Sequence, residues 1–227
     1  MKRSSLTIVL VAVLVAAGAV IVVAADRDDS GGPSAEVPVV AATPAPDQIT
    51  TFSRSTGIPA RALTAYVAAA ETVESDDPTC RIAWNTLAGI GLSESSHGAF
   101  GGATLDEEGV PTPGIIGVPL DGTGGNRAIK DTDDGQLDGD TTWDRAVGPL
   151  QFIPATWAEW GADGDGDGIE NPQDLDDAAL AAARYLCDAG GDLSDSEGWS
   201  RAILEYNESG EYARKVSRTA SEYARAT

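Results

Sequence analysis

"VGPLQFIPATWAEWGADGDGDGIENPQD", residues 147–174, joins an apolar segment to a run of alternating Asp and Gly. Helical spacing is expected over about 154–161 and again over about 174–187, where "DDAALAAARYL" follows. A 12-residue EF-hand loop needs side-chain oxygens at positions 1, 3, 5 and 12, a carbonyl at position 7 and glycine at position 6. Asp163, Asp165, Asp167 and Gly168 meet the first part, and Ile169 offers its carbonyl. Position 12 is Asp174 where glutamate is usual, so Asp177, three residues further on, is the alternative closing ligand. Hard oxygen ligands on a flexible turn suit calcium. A second acidic stretch, "DTDDGQLDGD" at 131–140, has Gly135 at its fifth position and so lacks one ligand; it reads as a polar loop bordering a groove, with a second metal site as the alternative.

Upstream, "GIPARALTAYVAAAETVE" (57–74) reads as a helix, with Pro59 in its first turn and Leu63, Tyr66, Val67 and Ala70 at helical spacing. Another helix is expected over about Arg81 to Ser93, ending in the glycine-rich "SSHGAFGG". Residues 98–142 are rich in Gly, Pro and Asp and predict a long, mostly irregular excursion, of the kind that is usually functional in compact domains. Helices return at about 198–206 and 209–225, and strands should be few and short. The fold class is mainly α, one domain over residues 57–227.

The N-terminus has Lys2 and Arg3, then no charge from Ser4 to Ala25, then Asp26, Asp28 and Asp29. That order sends the remainder of the chain across the membrane. The apolar run exceeds the ~7–15 residues of a signal-peptide core and approaches the ~20 that span a bilayer, which favours an uncleaved transmembrane anchor, with cleavage after Ala24 or Ala25 as the alternative. Residues 26–56, rich in Asp, Ser, Gly, Pro and Ala, read as a linker. The chain has 36 acidic and 15 basic residues, a net charge of −21, which disfavours nucleic acid as a partner. The two cysteines, Cys80 and Cys187, predict one disulfide in an oxidising compartment.

Two residues compete for a chemical role. Glu94 ends an apolar helix and opens onto a glycine-rich loop, where partial burial would raise a carboxyl toward neutral pKa and make it a general acid. His97 is the one histidine of the chain, but no Ser or Cys nucleophile motif accompanies it, and it reads first as structural. Trp143, Trp157 and Trp199 read as core before they read as sugar platforms.

Three short pieces, "ES" (Glu94, Ser95), "GPLQF" (148–152) and "EYN" (205–207), resemble in order the signature motifs of the lytic transglycosylases that cut bacterial peptidoglycan. The longer match, "VGPLQFIPATW" followed by the Asp-Gly loop, is similar to the B-type lytic murein transglycosylases. The resemblance covers about residues 57–225 and implies a lysozyme-like domain acting on glycan strands outside the cytoplasm, held at the cytoplasmic membrane or secreted, with structural Ca2+ and no organic cofactor. It implies Glu94 as the single acid/base, giving 1,6-anhydro-muramic acid ends. Ser95, Gln151, Phe152, Tyr206 and Asn207 would line or support the groove. Ala155 and Thr156 depart from the family's serine after "QFIP", and Pro149 and Leu150 from its commoner pairs. A water-using muramidase, with an aspartate of 131–144 as second carboxylate, and a non-catalytic, calcium-stabilised wall-binding module are the alternatives.

Overall fold

The computed structural model describes residues 36–227. Seven α-helices dominate them: α1 (Ile49–Thr56), α2 (Ala60–Asp76), α3 (Trp84–Ser95), α4 (Pro154–Trp160), α5 (Leu175–Gly190), α6 (Ser196–Tyr206) and α7 (Gly210–Arg225). Four strands of two to four residues, β1 (Thr104–Leu105), β2 (Pro111–Thr112), β3 (Ile116–Pro119) and β4 (Arg145–Val147), form two antiparallel pairs, β1 with β2 and β3 with β4.

Helix α5 is central. Its sequence is rich in alanine, so α2 and α6 can both pack closely against it, and Leu175, Leu180, Leu186 and Ala178 to Ala183 are all buried. Local chemistry marks the helix starts: Asp174, Asp195 and Ser209 each accept backbone amides at the N-caps of α5, α6 and α7. Helix α3 runs against α7, where Gly89 brings its backbone onto Val216. Cys80 and Cys187 form the expected disulfide, tying the middle of the α2–α3 connection to α5 with a Cα–Cα distance of 5.4 Å. Closing a loop of 107 residues stabilises the fold by up to ~4–5 kcal/mol on chain-entropy grounds.

Two expectations are corrected. Residues 36–56, read as linker, are packed on the domain. Residues 46–48 form a 3-10 turn and lead into α1, whose Phe52 packs against Trp84. Residues 36–45 cross the α3–α7 pair as an extended strap. The side chain of Asn85 donates to the carbonyls of Val39 (2.8 Å) and Ala220 (2.9 Å), the Trp84 indole donates to Ala42 (3.1 Å), and Ser221 accepts from the Val39 amide (3.1 Å). Their partners are non-local, which is why composition alone hid them. The second correction concerns the membrane: among the described residues no helix is long and apolar enough to cross one. The segment 1–25, on which a transmembrane anchor and a membrane partner rested, lies outside the described residues.

Candidate active site

Glu94 sits in the last turn of α3, 7% exposed. Tyr212, in the first turn of α7, donates its hydroxyl to Glu94 Oε1 at 2.6 Å. Burial pushes the carboxyl pKa up to about 7, against the smaller opposing effects of the Tyr212 hydrogen bond and the positive charge of Lys215, one turn further along α7. Burial also depresses the Lys215 ammonium, and holds the hydroxyls of Tyr206 and Tyr212 well above the usual phenol range. The result is a carboxyl group poised between its two protonation states near neutral pH, as an acid that must later act as a base requires.

The residue after Glu94 fixes the floor of the site. The Ser95 hydroxyl donates to the Pro149 carbonyl (2.6 Å) and accepts from the Gly98 amide (2.8 Å), so the end of α3 is bolted to the 148–152 turn. Within that turn Gln151 adopts a left-handed backbone (φ 52°) and its side-chain amide donates to Gly148 (2.9 Å). Tyr206 donates to Leu150 (2.7 Å), and Phe152 packs edge-on against Trp157 and Tyr206. Asn207 follows at the end of α6 and accepts from the Ser209 amide (3.0 Å), turning the chain into α7 and its Tyr212. Three segments far apart in sequence thus meet around one carboxyl group.

Residues 127–200 match the family model described as a transglycosylase SLT domain. That match covers less than half of the chain. The solved structure of the Escherichia coli lytic transglycosylase Slt35 in complex with bulgecin A is similar in fold, with a TM-score of 0.50 and 14% identity over 81% of this chain and 76% of that one. No curated protein sequence matches the chain.

Ser95, Phe152 and Tyr206 are buried and engaged with protein partners, so they support the site from beneath rather than reach out of it. Thr156, beside Ala155, is fully buried and its hydroxyl takes no hydrogen bond. His97 is held between Tyr66 (Nδ1, 3.1 Å) and Tyr223 (Nε2, 2.9 Å), and burial lowers its pKa to about 4. The sequence reading missed Tyr212, which lies 118 residues from its partner and carries no local motif.

The Asp-Gly loop does not form the EF-hand frame. Asp163, Asp165 and Asp177 bring carboxylate oxygens within 4.8 Å of one another, whereas Asp167, Ile169 and Asp174 lie outside that group. Asp167 accepts the Ile169 amide, and Ile169 is exposed. Asp174 is diverted because it caps α5, accepting from the Asp176 amide at 2.8 Å. Asp177 closes the cluster from inside α5. It is 1% exposed, and burial, together with Asp165 and Asp163, holds its carboxyl above the usual range despite amide donors from Gly164 (2.6 Å) and Asn171 (2.8 Å). A second trio, Asp131, Asp133 and Asp144, meets in the 131–144 loop, where Asp144 is fully buried and Asp133 Oδ1 accepts no hydrogen bond. Each trio is an acidic cluster with one buried member and the oxygen donors that a cation would take.

The raised pKa of Glu94 carries a stability prediction. A carboxyl whose folded pKa exceeds its unfolded value contributes stability that is fully present below the unfolded pKa, near 4.5, and is lost as pH rises through about 7. Glu94→Gln should therefore melt above the wild type at pH 8, and the difference should vanish below pH 4.5; thermal denaturation across that range checks it.

Proposed function

We propose that the domain cleaves the β-1,4 bond between N-acetylmuramic acid and N-acetylglucosamine of peptidoglycan, outside the cytoplasm, without water as nucleophile. Glu94 first protonates the glycosidic oxygen, then takes the proton of the C6 hydroxyl of the same muramic acid as that oxygen attacks C1, leaving a 1,6-anhydro end. The observation that carries this reading is the buried Glu94 carboxyl held by Tyr212 at 2.6 Å, with its pKa near neutrality. An intramolecular nucleophile needs only one carboxyl group, whereas a hydrolase places two across the bond. Among the described residues the charge acting on Glu94 is that of Lys215, not of a second carboxylate, which favours the single-acid reading over a water-using muramidase. Gln151, in the turn bonded to Ser95, and Asn207, next to Tyr206 at the end of α6, are the polar groups we assign to sugar binding.

Mass spectrometry of muropeptides released from purified peptidoglycan, with Glu94→Gln in parallel, tests the proposal. Anhydro-muramyl ends from the wild type alone are expected. Reducing ends dependent on Glu94 would make the enzyme a hydrolase, and the absence of products from both proteins would leave a wall-binding module.

We further assign Asp163, Asp165 and Asp177 to a structural calcium ion. Three carboxylates converge there, one of them almost fully buried, and hard oxygen donors in a flexible loop suit calcium. The ion would hold the loop against the 148–152 turn through Pro172 and Gln173, whose side chain pairs with both backbone groups of Ile115 at 2.9 Å. A ligand in 100-fold excess over its Kd stabilises the folded form by about 2.7 kcal/mol. For a domain of this size, chelation should lower Tm by roughly 5–10 °C, and Asp177→Asn should lose the response. An unchanged Tm, with no calcium found by elemental analysis, would reject the assignment.

A further inference from the structure

We propose that His97 is a positioning residue for Glu94: its imidazole, strung between Tyr66 on α2 and Tyr223 on α7, fixes the last turn of α3 against the helix that supplies Tyr212. The inference rests on the reading of Glu94 as the acid/base.

The last turn of α3 is unusual in what closes it. Ser96 and His97 both adopt left-handed backbone conformations, φ 53° and 60°, each costing roughly 1–2 kcal/mol for a residue with a Cβ. Such conformations persist where the surroundings hold them. Here the His97 amide donates to the Gly91 carbonyl (2.9 Å), and the imidazole reaches Tyr66 and Tyr223. Tyr66 arrives by crossing the α3 backbone at Gly91, where a Cβ would overlap its hydroxyl. Gly91, Tyr66 and His97 therefore make a closed loop of contacts around the turn, and Glu94 is its middle residue. Tyr223 extends that loop to α7, which presents Tyr212 to the carboxyl three turns away.

Burial keeps the imidazole neutral. A neutral ring has one N–H and one bare nitrogen, so it donates to one tyrosine hydroxyl and accepts from the other. The groups that act on Glu94 directly are Tyr212 and Lys215 from α7 and Tyr206 from α6. His97 is not among them, so any influence it has on the carboxyl passes through the geometry of α3 and α7.

Four variants of the full chain separate positioning from packing. His97→Leu keeps bulk and deletes both bonds, His97→Gln keeps one donor and one acceptor, and Tyr66→Phe and Tyr223→Phe each delete a single hydroxyl. Turnover on peptidoglycan is followed against pH, below the lowest Tm of the set, with Glu94→Gln and Tyr212→Phe as references. Each Tyr→Phe change should lower kcat about 10-fold with KM within about twofold, since a misplaced catalytic group is costly. The alkaline limb should move upward, in the direction of Tyr212→Phe, because a loosened Tyr212 no longer holds the carboxyl pKa down. His97→Gln should recover most of what His97→Leu loses. Folded variants with lowered Tm but wild-type kcat and pH profile would overturn the proposal and leave His97 as packing. Full turnover in Glu94→Gln would instead remove the acid/base reading, and the positioning role with it, whatever the His97 variants do.

Discussion

Glu94→Gln is expected to lower the rate of glycan cleavage by about three orders of magnitude or more while leaving the fold intact. A positioned acid/base contributes about 10²–10⁴ to a proton-transfer step, and here one group is asked to serve in both halves of the reaction. The amide is nearly isosteric and its oxygen can still accept the Tyr212 hydroxyl, so the 2.6 Å contact and the α3–α7 packing have no reason to fail. The same variant should melt higher than wild type at alkaline pH, because it removes a carboxylate that burial disfavours. A loss of activity accompanied by a gain in stability would distinguish a functional cost built into the fold from simple damage. Rates measured on purified peptidoglycan, with circular dichroism to verify folding, decide it; residual activity above about a tenth of wild type would mean that another group does the chemistry.

The second large effect is structural. Gly148 has φ 79°, and a Cβ at that position would overlap the carbonyl oxygen of Pro172. Its amide donates to Ile115 (2.8 Å) and its carbonyl accepts both the amide and the side chain of Gln151 (3.1 and 2.9 Å). Gly148→Ala must therefore push the 148–152 turn off the acidic loop. Overpacking costs roughly 1–3 kcal/mol and the left-handed backbone roughly 1–2 kcal/mol more, which corresponds to a Tm loss of about 5–15 °C. Activity should fall with it, since the turn receives the Ser95 hydroxyl and carries Gln151. Gly139→Ala is the control: its φ is 78°, yet a Cβ there meets nothing within 4 Å. If both variants melt alike, the steric clash contributes nothing and the turn and the loop do not form a tight seam.

Much of this architecture is legible in the sequence because it is written in local terms. Helices α2 to α7 follow apolar spacing, and the starts of α5, α6 and α7 follow capping residues; Asp174, Asp195 and Ser209 all stand where a helix begins. Asp174 also shows how two local codes collide. Read as position 12 of a calcium loop it is a ligand, and read as an N-cap it is occupied; the amide of Asp176 decides for the cap, leaving Asp177 to close the cluster. What could not be read was long-range. Tyr212 has no signature beyond an ordinary helix start, and its role exists only because α7 returns alongside α3. His97, read as structural, proves to be fully engaged, but its partners Tyr66 and Tyr223 lie 31 and 126 residues away. The strap of residues 36–45 has no apolar periodicity at all; it is ordered by polar groups of α3 and α7, not by its own composition.

That strap changes where the functional unit starts. Asn85 is 0% exposed, and its amide nitrogen is shared between Val39 and Ala220, one partner in the strap and one in α7. A protein trimmed at residue 57, where the composition turns globular, would strand one of those bonds, uncover the Trp84 indole and release Ser221. The seam between the helix that bears the acid and the helix that steadies it would then be open to water along one side. The smallest heritable piece of this fold, the part that recombination or an engineer could move intact, accordingly extends back at least to residue 36, through sequence whose appearance is that of a tether.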